Sequence, residues 1–217
     1  MAKASRKDLL NAQDEFITTT SSAAKWVKEN PLRFAVMAAI VFVVFASSIG
    51  FYHWKTSRES SAMIAYSNAA NSSQLTLDVI QRYSDTKAAK LARLRLAQMA
   101  YSEKDFTMAL DYAQKFVNGW GREDTFHWQG VMIMAATYMD QQDFEKAMPL
   151  LEDCIKKSPE NIKDHALFFK SQALLALGKN EEARKALVQI SENYRDVAAP
   201  TLASLEMRQG VTVDAKQ

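Results

Sequence analysis

Residues 131–159 read VMIMAATYMDQQDFEKAMPLLEDCIKKSP, and their spacing decides the fold. Val131, Met134, Ala135 and Tyr138 recur at the three- and four-residue intervals that place side chains on one face of an α-helix. The polar break Gln141-Gln142-Asp143-Phe144 interrupts the pattern, and a second helical face resumes with Ala147 and Leu151, closed by Pro159. Small residues at Ala135 and Ala147 allow two helices joined by so short a turn to pack closely. The stretch predicts an antiparallel helix pair.

The same pattern occurs on either side. Downstream it is Leu167-x2-Lys170-Ser171-x2-Leu174, then Ala183-x3-Leu187; upstream it is Arg93-x2-Leu96-Ala97-x2-Ala100, then Ala109-x3-Ala113. In each copy the alanine of the second helix lies nine positions after the last position of the first. The second-helix alanines Ala109, Ala147 and Ala183 lie 38 and 36 residues apart. The pattern resembles the tetratricopeptide signature, W-x2-L-G-x2-Y, A-x3-F and P over about 34 residues, although no copy has the tryptophan. The longer first interval is assigned to Asn118-Gly119-Trp120-Gly121, where two glycines allow a wide turn. A single pair cannot bury both its faces, so such units stack.

Outward from the repeats, Leu75, Leu77, Val79, Ile80 and Tyr83 predict one more helix, with the cap for the next near Ser84-Asp85. At the other end Pro200 to Arg208 predicts a lone capping helix stopped by Gly210. Toward the N-terminus, Phe34 to Tyr52 are nineteen consecutive uncharged residues. At about 1.5 Å per residue they nearly span a hydrocarbon core of about 30 Å. Asn30-Pro31 marks the helix start, and Tyr52, His53, Trp54 and Trp26 suit an interfacial aromatic belt. The apolar run exceeds that of a signal peptide.

The expected fold class is all-α, one transmembrane helix followed by an α-solenoid of tetratricopeptide-like helix pairs. The expected division is a cytoplasmic segment 1–33, a span 34–54, a helical neck and partial repeat 55–86, repeats 87–197, a cap 198–210 and a tail 211–217. Lys3, Arg6, Lys7, Lys25, Lys28 and Arg33 precede the span while only Lys55 and Arg58 follow it closely. The positive-inside rule therefore puts the N-terminus in the cytoplasm and the repeats outside. Residues 1–29 are expected to form short helices on the cytoplasmic surface or a solvated tail.

Composition limits function. Residues 56–217 carry twenty Lys and Arg against twenty-one Asp and Glu, which leaves no basic stripe for nucleic acid. A single cysteine excludes an internal disulfide or a CxxC pair. His53, His127 and His165 fall at no metal-ligand spacing with Cys154 or with a carboxylate pair, and Cys154 reads as a small buried apolar residue. No phosphate loop, G-x-S-x-G or H-E-x-x-H is present. The expectation is a protein without catalytic residues, metal or cofactor.

What remains for function is the concave wall formed by the first helix of each pair. Register matching assigns to it Leu94, Gln98 and Tyr101; Met132, Ala136 and Met139; and His165, Phe168, Gln172 and Leu175. An apolar helix face in the core explains the same residues.

An N-terminal segment, one anchor, a serine-rich neck and a repeat domain together resemble the bacterial ancillary SecYEG translocon subunit family, called YfgM-like. Ala88-Ala89-Lys90-Leu91-Ala92-Arg93-Leu94-Arg95-Leu96-Ala97 and Asp105-Phe106-x2-Ala109-Leu110 also resemble it. Ser5-Arg6-Lys7-Asp8-Leu9-Leu10, followed by Asp14-Glu15-Phe16, is similar to repeat proteins of that general architecture. The resemblance implies a single-pass protein of the bacterial inner membrane, with its repeats in the periplasm. Its expected partners are the lipid bilayer, translocon components, periplasmic chaperones and unfolded clients. An envelope-assembly or cell-division coordinator, or a docking subunit of a membrane enzyme complex such as cytochrome maturation, has the same architecture.

Overall fold

The computed structural model describes residues 25–214. Expectations for residues 1–24 and for the last three residues lie outside that range. The chain divides into two compact units, residues 1–57 and 58–217.

In the first unit, α1 (Pro31–Asn68) begins at the expected proline and continues past Ser57 into the second unit. Its apolar window has no buried side chain. Val41 is 68% exposed and Phe42 71%. A run of exposed apolar side chains this long has no stable place in water. By length and composition α1 can cross a membrane, which is consistent with a single-pass anchor.

The second unit is helical throughout its described residues, and consecutive helices pack on one another. It opens with the end of α1 and α2 (Ser73–Arg82), followed by α3 (Lys87–Ser102) and α4 (Phe106–Gly119). Two further pairs follow, α5 (Thr125–Asp140) with α6 (Phe144–Lys157), and α7 (Glu160–Ala176) with α8 (Asn180–Val188). A short 3-10 turn, Glu192–Tyr194, leads into α9 (Arg195–Asp214). Besides sequential neighbours, α3 touches α5 and α5 touches α7. First helices therefore stack on first helices, the arrangement of an α-solenoid.

The small residues of the pattern sit where the helices approach. Ala97, Ala135 and Ser171 on the first helices and Ala109, Ala147 and Ala183 on the second are all at 0% exposure. Large side chains fill the space between pairs. Leu151, Cys154 and Trp128 form one core cluster, and Leu167, Leu174 and Leu187 form the next. The turn inside each pair uses one left-handed residue at a fixed register, Lys104 (φ 63°), Gln142 (φ 59°) and Gly178 (φ 73°). In the first two pairs an aspartate then caps the second helix, Asp105 accepting from Met108 N at 3.0 Å and Asp143 from Lys146 N at 3.3 Å.

Three local expectations are corrected. The cap of α3 is Thr86, whose Oγ1 accepts from Ala89 N at 3.2 Å, because Asp85 is engaged by Arg58 at 2.9 Å. The connection from α4 to α5 is wide for an aromatic reason: neither Gly119 nor Gly121 has a left-handed φ. Trp120 instead stacks on Phe116 at 5.2 Å and meets Phe126 edge-on at 6.2 Å. Helix α9 starts before Pro200 and runs through Gly210. Ala198 and Leu205, two turns apart and both buried against Leu187 and Ile190, hold it on either side of the proline.

Candidate functional site

Successive first helices leave an apolar slot of about 250 Å³ where α3, α5 and α7 meet. Helix α5 contributes Gln129, Met132, Ile133 and Ala136, whose spacing is that of one helical face. Helix α7 contributes Ile162, His165 and Phe169, and α3 contributes Tyr101. Met132, Ala136 and Ile162 are buried and make the floor, while Ile133, Phe169 and Gln129 are half-buried at its sides.

Polar groups around the slot differ in how far they are committed. Burial, reinforced by the neighbouring Asp140 carboxylate, pushes the Tyr101 phenol up to about 12. The His165 ring lies 4.8 Å from Phe169 and 5.9 Å from Tyr194, and burial lowers its pKa below the usual histidine range. No side chain lining the slot is a lysine, arginine, aspartate or glutamate.

Of the ten wall positions expected from the register, Tyr101, Met132, Ala136 and His165 come together here. The other six are placed elsewhere. Leu94 is buried and Gln98 is exposed on α3, and Met139 packs against the core between α5 and α6. Phe168 and Leu175 pack on the C-terminal core cluster, Phe168 meeting Tyr194 edge-on at 6.3 Å, and Gln172 is half-buried. The slot residues the register missed are Gln129, Ile133, Ile162 and Phe169. A signal for two of them is present: Ile133 and Phe169 stand at one repeat position, two residues after Val131 and Leu167. In the first copy that position is Arg95, whose guanidinium covers the Tyr66 ring at 3.6 Å and donates to Tyr66 O at 2.7 Å.

Chemistry is otherwise sparse. Cys154 is fully buried, and burial pushes its thiol up to about 12, far from a reactive thiolate. His127 is buried and its Nδ1 lies 3.3 Å from Trp120 O. Among the described residues no group of three or more His, Cys, Asp or Glu is arranged to hold a metal ion.

Residues 138–205 match the family model described as tetratricopeptide repeat. The solenoid is tetratricopeptide-like. The match begins at the end of α5 and ends inside α9, so it covers α6, α7 and α8 and with them the α7 side of the slot. No curated protein and no solved structure matches the chain. Tetratricopeptide repeats are interaction modules that bind other proteins, which supports a protein-interaction role for the matched helices.

Proposed function

We propose that this chain is a membrane-anchored scaffold that docks other polypeptides in the slot between α3, α5 and α7. It works on the periplasmic side of a bacterial inner membrane, beside the Sec translocon, and helps periplasmic chaperones handle emerging polypeptides. The docking claim rests on one observation: a packed solenoid keeps Ile133 and Phe169 partly open to water around an apolar floor. Apolar surface kept open in this way is favoured where a partner covers it. The orientation is supported by the six basic residues ahead of the span, and the translocon by the resemblance in architecture.

Two measurements test it. A Cys154→Ala variant with a Gln217→Cys thiol reacts with a membrane-impermeant maleimide in intact spheroplasts if the repeats are periplasmic; labelling only after lysis reverses the orientation. Crosslinking in intact membranes joins the chain to channel subunits if it sits beside the translocon. Adducts with envelope or cell-division proteins alone would remove that placement.

A further inference from the structure

We infer that a second copy of this chain docks on α9, laying its own α9 antiparallel in the groove between α8 and α9, so that Arg195 of each copy meets Glu206 of the other. The inference does not depend on the slot between the first helices. The groove has a volume of about 340 Å³ and lies at the C-terminal end of the described array. Leu187, Ile190 and Ala198 are buried at its floor. On its rim Val188 is 62% exposed, and Ala199 and Ala203 are open to water. Helix α9 follows α8 as a first helix follows each second helix, but no second helix follows α9 among the described residues. The face carrying Ala199 and Ala203 is therefore left uncovered, whereas the end of a solenoid needs a polar outer face to stay in water.

Charge decides the occupant. Arg195, Ala199, Leu202 and Glu206 line the groove at intervals of four, three and four residues, one stripe along α9. The stripe has a cation at its N-terminal end and an anion at its C-terminal end, with only apolar side chains lining the groove between them on α9. Two such stripes laid antiparallel, about a two-fold axis between Pro200 and Thr201, pair Arg195 with Glu206 at both ends. Between those ends Ala199 meets Leu202, small against large. A two-fold interface must be self-complementary in this way, and a stripe with like charges at its ends could not be. Arg195 already lies 3.3 Å from Glu192, an exposed pair with side chains 65% and 83% open. A guanidinium has five donors, so Arg195 can take a second carboxylate. The antiparallel sense is also that of helices joined by short turns within the array, and the alanines let two helix axes approach to roughly 8–10 Å.

The test uses the full chain in detergent micelles, with self-association followed by sedimentation equilibrium. Arg195→Glu and Glu206→Arg each place like charges at both ends of the antiparallel pair, and each weakens dimerisation about tenfold. The double variant restores the wild-type affinity. An equal mixture of the two single variants restores it as well, because each chain then supplies the charge that the other lacks; damage to the fold would not be repaired by mixing. Ala199→Trp, at an exposed position, fills the groove and abolishes the dimer while leaving the melting temperature in place. A wild-type chain that stays monomeric overturns the inference. So does a dimer indifferent to the charge reversals, which would be joined through another face such as the apolar length of α1. In intact membranes a photo-crosslinking residue at Ala203 gives adducts with a second copy. Adducts with other proteins and none with a second copy would overturn the inference and assign the groove to those proteins.

Discussion

Gly130 lies where α5 packs tightly on α4. A Cβ there would lie 2.8 Å from both Phe116 Cδ1 and Val117 Cγ2, and Phe116 is fully buried, so its ring has little room to move. Gly130→Ala gains about 1 kcal/mol of helix propensity and costs about 1–3 kcal/mol in overpacking. A lower midpoint in chemical denaturation is expected; an unchanged or raised midpoint would mean the two helices can part freely. Histidine supplies a pH prediction. Burial lowers the pKa of both His127 and His165 in the folded chain. Unfolded histidines titrate near about 6.5, so below that value the unfolded chain binds more protons than the folded one. The stability from keeping both rings neutral is complete above the unfolded pKa and is lost as pH falls through it toward the folded values. Melting temperature should therefore drop between about pH 7.5 and pH 5.5, and the drop should shrink in His127→Gln/His165→Gln. An equal drop in the double variant would assign the effect to other groups.

At the scale of elements, the start of the solenoid depends on an inter-helix cap. Glu59, on α1, accepts from Lys87 N at 3.1 Å, and Thr86 Oγ1 accepts from Ala89 N, so two free N–H groups of α3 are satisfied. Arg58 binds Asp85 and donates to Arg82 O at 2.9 Å. Thr86→Ala should cost about 1–2 kcal/mol. Arg58→Ala with Glu59→Ala should speed amide exchange in residues 58–68 while leaving α5 to α8 protected; uniform acceleration would mean that the whole array unfolds as one. The helix pairs were legible because local spacing carries them: Ala97, Ala135 and Ser171 fall on the packing faces that the periodicity predicts. The slot was legible in part. Aligned positions share a helix face, and the slot draws equivalent ones, Gln129 with His165 and Ile133 with Phe169; the register chose the neighbouring pair Met132 and Phe168, of which only Met132 reaches the slot while Phe168 turns toward Tyr194. Thr86, Glu59 and Arg58 act through contacts more than twenty residues distant or through a choice among neighbouring caps, and one-dimensional spacing does not encode either.

At the scale of the molecule, the exposed apolar length of α1 and the slot lie in different units, one suited to lipid and the other to protein. An uncleaved anchor keeps the chain in the membrane pellet through high salt and alkali; a soluble product beginning near residue 49 would identify a removed leader instead. Polypeptide docking in the slot between the first helices requires contact there in the intact membrane. Its most direct measurement places a photo-crosslinking residue at Gln129 on the slot, and in a second variant at Gln189 just past α8, in intact membranes. Both positions are accessible, so folding is retained in each. Adducts with other polypeptides are expected from Gln129 and should diminish in Phe169→Ala, with few from Gln189. Adducts from Gln189 alone, or adducts from Gln129 indifferent to Phe169→Ala, would contradict docking in the slot.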